Sequence, residues 1–178
     1  MPNHVRNILK FSKLKPEDKE FIINKFTSEV KGVYPLNRVF DFDKVIAEPR
    51  KKEECDPDCL KNKDSFVVGD SDRPWFDWYA WRTKYWGTKW NAYDGYIMVG
   101  INTITFVFNT AWSTPQPIYE QLARFFTFNF TVRYADELNY DDCGTFQFVP
   151  EDDILRHYNI KSKSATAQKA FWRRVWNY

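Results

Sequence analysis

Ten consecutive residues, Trp86-Gly87-Thr88-Lys89-Trp90-Asn91-Ala92-Tyr93-Asp94-Gly95, hold the densest set of side chains in this chain that could contact another molecule. Two indoles, a phenol, an amine, an amide and a carboxylate lie among the two glycines. Large aromatic side chains bury much area yet keep polar handles, so such a block either closes a core or presents a binding surface. In the core reading Gly87 and Gly95 permit turns, Trp86 and Trp90 fill space over a sheet, and Asn91 and Asp94 bond backbone amides. In the surface reading Lys89, Trp90, Asn91 and Tyr93 meet a partner. The two are compatible, because a rigidly built loop is a good platform.

Other chemistry finds less support. An iron–sulfur cluster needs about four thiolates, and the chain has three cysteines. Cys55 and Cys59 have a spacing that zinc tolerates, but no second Cys-x2-Cys or His-x3-His pair completes a site with them or with Cys143. A solvent-exposed loop with idle thiols is the better reading. His4 and His157 are the only histidines, and neither adjoins a nucleophile pattern. Asp136, Glu137, Asp141 and Asp142 could hold Mg²⁺ with waters, although acidic turns between strands are commonly solvated loops. No phosphate-cradling glycine loop occurs. These residues imply neither a cofactor nor an enzyme.

The 178 residues fit one domain, 1–178, and an aromatic content of 19% argues against disorder. No apolar run approaches the roughly 18 residues of a membrane helix, and Met1 to Arg6 lacks the apolar core of a secretory signal. With an odd cysteine count, this points to the cytoplasm and to no membrane partner. A net charge of +2 does not by itself announce a nucleic-acid binder. Charge is nevertheless segregated. Residues 134–153 carry Asp136, Glu137, Asp141, Asp142, Glu151, Asp152 and Asp153 with no Lys or Arg. The C-terminal extension 151–178 then becomes basic and aromatic, with Lys169, Arg173 and Arg174 on one helix. Such neighbours most often neutralise one another, and a basic helix used for binding is the sharper alternative.

The elements follow from periodicity. Val5 to Phe11 predicts a strand. Pro16, with Glu17 and Asp18, opens a helix whose Ile22, Ile23, Phe26 and Val30 form a core face. Residues 40–49 alternate and stop at Pro49, suggesting an edge strand or extended segment. Residues 50–72 are a charged excursion. Asp72 and Pro74 then offer the start of an aromatic helix. Its Trp75, Trp78, Tyr79, Arg82 and Trp86 share one face, while Trp81 and Tyr85, flanked by Lys84 and Lys89, turn away and suit a partner. A hairpin comes next, Tyr96 to Ile101 and Thr103 to Trp112, with Ile104, Phe106, Phe108 and Trp112 on one side. With Phe130 and Val132 of a later strand, Ile104, Phe106 and Phe108 should meet the helix stripe Ile118, Leu122 and Phe126. Strands over Phe128 to Tyr134 and Cys143 to Val149 follow, then a helix over Ala165 to Trp176 docking through Phe171, Trp172, Val175 and Trp176. Without the excursion and its aromatic helix the order is βαββαβ. That is an α+β, ferredoxin-like antiparallel sheet with helices on one face, plus an aromatic-helix insertion and a C-terminal helix.

Specific blocks carry a family resemblance. Met1-Pro2-Asn3-His4-Val5, Phe40-Asp41-Phe42-Asp43-Lys44-Val45-Ile46, Trp86 to Asp94, Phe108-Asn109-Thr110-Ala111-Trp112-Ser113 and Tyr134-Ala135-Asp136-Glu137 resemble the YubB-like proteins. These are ferredoxin-like proteins of phages and conjugative plasmids. The chain departs from the pattern at the Cys55/Cys59 excursion and the C-terminal tail. The resemblance implies a ferredoxin-like fold and a mobile-element setting in a bacterial host cell, without catalytic residues to transfer. The expected role is a non-enzymatic accessory protein that binds a host protein or protein–nucleic-acid complex. Counter-defence, such as inhibition of a CRISPR effector, is the specific form. The alternative is a single-stranded nucleic-acid-binding protein. It would stack bases on Phe106, Phe108, Tyr96 and Tyr134 of the sheet and use the basic tail as a clamp.

Overall fold

Alternating side chains make His4–Ser12 a strand, β1, with Val5, Leu9 and Phe11 buried on one face and Ile8 on the other. In the computed structural model, residues 3–32, 36–55, 57–60, 72–125, 127–161 and 163–178 are described. Helix α1 (Pro16–Phe26) starts at its proline, with Asp18 accepting from the Lys15 amide at 2.8 Å. It ends earlier than the periodicity suggests. Thr27 is extended, its hydroxyl donates to the Ile23 carbonyl at 2.6 Å, and Val30 lies exposed beyond the helix. A ribbon of β2 (Thr27–Glu29) and β3 (Arg38–Phe40) follows. The expected extended segment over 40–49 is thus largely replaced by a 3-10 turn, Phe42–Lys44, because Asp41 caps the Asp43 amide.

The excursion differs from a loose loop with idle thiols. Cys59 is buried, Leu60 bridges to Phe76, and both Cys59 and Phe76 join the main core. Residues 61–71 of the excursion lie outside the described residues. Helix α2 (Trp78–Tyr85) is capped by Asp77, not Asp72, through a 3.0 Å bond to the Ala80 amide. A buried carboxylate holds it in place. Glu48 accepts from Arg73 at 2.8 Å and from Arg82 at 2.5 Å, and the Arg82 guanidinium also lies over Trp78 and Trp86.

The hairpin β4 (Tyr93–Val99) and β5 (Ile104–Ala111), helix α3 (Gln116–Phe125), and strands β6 (Asn129–Asp136) and β7 (Cys143–Val149) follow in the expected order. Beyond the short β2–β3 ribbon, the periodicity also does not show β8 (Ile154–Asn159), which lies within the expected C-terminal extension. All pair antiparallel in the order β4-β5-β1-β6-β7-β8. The first four are the ferredoxin-like split βαββαβ sheet, and β7 and β8 extend it from β6.

Helices α1 and α3 cover one face. There Ile104, Phe106, Phe108, Phe130 and Val132 join Ile22, Phe26, Ile118 and Leu122, as the alternation requires. Phe126 lies outside the described residues. Phe40 stacks on Phe106 with centroids 5.1 Å apart. Helix α4 (Ala165–Trp176) docks on the opposite face through Phe171, Trp172, Val175 and Trp176, against Ile8, Val107, Ala135 and Cys143. No helix among the described residues is long and apolar enough to cross a membrane.

Candidate binding surface

The central block is stitched to the end of β5. Trp86 is buried and donates its indole N–H to the Ile46 carbonyl at 2.9 Å. Gly87 has φ +74°, and a Cβ there would stand 2.6 Å from Cδ of Pro117, so only glycine fits without displacement. The Thr88 hydroxyl donates to the Ala111 carbonyl at 2.8 Å, and the Ser113 hydroxyl donates to the Gly87 carbonyl. Asn91 is a structural clamp: its Oδ1 accepts from the Phe42 and Ala92 amides at 2.9 and 2.8 Å, and its Nδ2 donates to Asp41. The core reading therefore accounts for Trp86, Gly87, Thr88 and Asn91.

Lys89, Trp90 and Tyr93 form a different group. The Lys89 ammonium sits 5.1 Å from the Trp90 ring centroid and 4.9 Å from that of Trp112, between two indoles. Tyr79 meets Trp112 edge-on at 6.2 Å, and Trp90 meets Tyr93 at 5.9 Å. Tyr93 and His4 are 2.6 Å apart, and the Tyr93 hydroxyl also reaches the Thr110 carbonyl at 3.2 Å. When Tyr93 donates to Thr110, the proton of that contact sits on His4 Nδ1. Burial, then Asp94 and Glu137, push the Tyr93 hydroxyl up to about 12, so it stays neutral. The result is an aromatic surface around one cation, where β1 begins and β5 ends.

Trp112 was placed inward by strand alternation, and the structure corrects this. Its φ is +70° and it is 46% exposed. Neighbouring bonds hold that conformation: its amide donates to Asn3, and Thr110 Oγ1 donates to the Ser113 carbonyl at 2.7 Å. Below them Asn7 collects Thr110, Thr114 and Tyr119 into one buried network. Left-handed backbone is unfavourable for a bulky residue and occurs where surroundings over-determine it, often at functional positions. Sequence reasoning missed the exposed Trp112 and the partly exposed Tyr79 beside it, and a bulky tryptophan gives no signal of positive φ.

Trp81 is the opposite correction. It is 5% exposed, packed between Phe76, Tyr85 and Trp86. Cys59 belongs to the same buried cluster, so the excursion adds to the core around the ring that helical phase alone turned outward. Tyr85 is partly buried against the same core, and Lys84 lies 5.1 Å over its ring. Lys169, Arg173 and Arg174 are exposed on α4, on the sheet face opposite α1 and α3.

The residues expected to stack bases are not open. Phe106, Phe108 and Tyr134 are buried in the main core, and Tyr96 packs beneath α4, its hydroxyl donating to the Tyr178 carbonyl. Two of the four acidic residues are engaged with backbone: Asp136 accepts from the Leu138 and Asn139 amides, and Glu137 from that of His4. Among the described residues no three His, Cys, Asp or Glu side chains gather as a metal site. The Cys143 thiol is pushed up to about 11, by burial first and then by Asp142 and Asp141. His157 stacks on Phe146 at 4.2 Å and bonds the Tyr134 hydroxyl, and burial lowers its pKa.

Fold and surface together define an α+β protein with a ferredoxin-like sheet and a rigid aromatic platform at one end. The chain belongs to the family described as the ferredoxin-like domain in Api92-like protein, whose match spans residues 85–176. That span runs from the end of α2 through α4, so it includes Lys89, Trp90, Tyr93 and Trp112. The sheet it describes closes only around β1, which lies between β5 and β6. No curated protein and no solved structure matches the chain.

Proposed function

We propose that this chain is a non-enzymatic accessory protein of a phage or related mobile element that binds a host macromolecule through the Lys89–Trp112 surface. Counter-defence is the specific task, with a host immune protein such as a CRISPR effector, alone or with its nucleic acid, as the partner. The mobile-element setting rests on the resemblance to YubB-like proteins. The binding role rests on one observation above all: Trp112 is held in a left-handed conformation with nearly half its surface exposed. Backbone strain of this kind has no use in simply filling a core. Trp112, nearly half exposed, with the partly exposed Trp90, Tyr93 and Tyr79 on a hydrogen-bonded scaffold, is the kind of ring cluster that interfaces use as hot spots. A non-enzymatic role is supported by the engagement of Asp136, Glu137 and His157 in structural bonds and by the raised Cys143 thiol.

The test is capture of partners from a bacterial host lysate by wild type and by Trp112→Gly, with and without nuclease. A discrete host protein retained by wild type, resistant to nuclease and lost with Trp112→Gly, is the expected result. Retention that vanishes with nuclease and falls steeply with salt would favour the nucleic-acid alternative.

A further inference from the structure

The two edges of the six-stranded sheet are built differently. At β4 the register shifts between Tyr93 and Tyr96, Asp94 takes φ +47°, and β3 lies close beside the strand. Bulges and cover of this kind blunt an edge against pairing. At the other edge β8 has neither Pro nor Gly and runs six residues in unbroken register with β7. Among the described residues no strand pairs with its outer side. Its faces are settled by its neighbours. Leu155 and His157 lie opposite Phe148 and Phe146 on the α1/α3 face, so Ile154, Arg156 and Tyr158 share the other. Ile154 is 55% and Tyr158 52% exposed. Arg156 between them is bonded to Asp152 at 2.5 Å.

We propose that β8 pairs antiparallel with β8 of a second copy of this chain, with Arg156 on the twofold axis. Side chains facing each other across a ladder must share a face, so a twofold axis within the strand passes through a residue pair of one kind. An axis at Leu155 would set Ile154 against Arg156 and Tyr158 against Asp152. An axis at His157 would set Tyr158 against Arg156 and Ile154 against Ile160. Only Arg156 sets each exposed Ile154 against the exposed Tyr158 of the other copy, an aromatic–β-branched pair made twice. Leu155 then meets His157. The two Arg156 side chains meet at the axis, each neutralised by its own Asp152. A pair of six-residue strands buries less than the roughly 1,200–2,000 Å² of a standard interface, so the dimer is concentration-dependent. The inference is independent of the proposed function, since the Lys89 surface belongs to the block beside β4, at the far edge.

Sedimentation equilibrium or light scattering across a concentration series reads this directly. Wild type should pass from 21.4 kDa toward twice that mass. Ile154→Lys with Tyr158→Lys should stay monomeric, because each lysine would face another. Ile154→Lys with Tyr158→Glu should restore the dimer, because lysine and glutamate then face each other across copies. Within one chain these positions are four residues apart along the strand, roughly 13 Å, so the restoration reports the intermolecular register. Amide exchange in wild-type β8, slower at high concentration than at low, reads the same contact without substitution. The proposal is overturned by wild type remaining at 21.4 kDa up to about 1 mM, by a dimer indifferent to the lysine pair, by failed restoration, or by β8 exchange that ignores concentration.

Discussion

Replacing Trp112 by Gly and by Ala separates the two things this residue does. Both substitutions remove the ring. A tryptophan buries about 150–250 Å² in full, and with 46% of Trp112 exposed about 100 Å² is lost. At about 25 cal/mol per Å² that is about 2.5 kcal/mol, equal in the two variants. They differ in backbone. A left-handed residue with a Cβ costs about 1–2 kcal/mol, and glycine does not bear this cost. At an ordinary strand position glycine is the poorer residue by about 0.5–1 kcal/mol. At φ +70° the order should invert, with Trp112→Gly more stable than Trp112→Ala by about 1 kcal/mol. Urea unfolding at equal slope measures the difference. An alanine variant as stable as the glycine variant, or more so, would refute the claim that strain is held at this position.

Four further outcomes follow from the packing and charge. Phe106→Ala should lose about 3–5 kcal/mol, because the ring is fully buried among Phe11 and Phe40; an unshifted melting curve would place it on the wrong face. Trp81→Ala should likewise cost about 3–5 kcal/mol in denaturant unfolding, as a core residue rather than a contact residue. Asn91→Ala leaves the Phe42 amide without its acceptor and should destabilise by about 1–3 kcal/mol, with no change if the block were held by its rings alone. Asp142 has its carboxyl raised by burial and then by Asp136. The folded state therefore holds its proton more tightly than the unfolded chain, and this stabilising contribution is lost as pH rises from about 3.8 through the raised value. Asp142→Asn should raise the Tm at neutral pH and flatten that part of the stability–pH curve.

Much of the fold was legible because its periodicities are strong. The alternation of Ile104, Phe106 and Phe108 and the spacing of Ile118 and Leu122 each bury one face against the other. The C-terminal helix was equally clear, since Phe171, Trp172, Val175 and Trp176 repeat at helical spacing. What escaped depended on distant or local geometry. Strand β8 falls inside what reads as a basic, aromatic extension, because an edge strand needs no continuous apolar alternation; its Arg156 and Asn159 carry no strand signal. Trp81 looked exposed because helical phase is local, whereas the Cys59 that joins its core comes from an excursion some twenty residues earlier. Within the candidate surface, Lys89, Trp90 and Tyr93 were found from composition. Trp112 was not, because strand alternation cannot foresee a reversal of φ at the strand's end.

The most direct measurement is quantitative capture from a bacterial host lysate, comparing wild type, Trp112→Gly with Lys89→Ala, and a control carrying Lys169→Glu, Arg173→Glu and Arg174→Glu. All three must first show native circular dichroism. The expected result is one host protein, retained after nuclease by wild type and by the α4 control, and reduced by about 30-fold or more in affinity, a loss of about 2 kcal/mol, by the Trp112/Lys89 variant. Equal retention by wild type and the Trp112/Lys89 variant, or loss confined to the α4 control, would contradict binding through this surface.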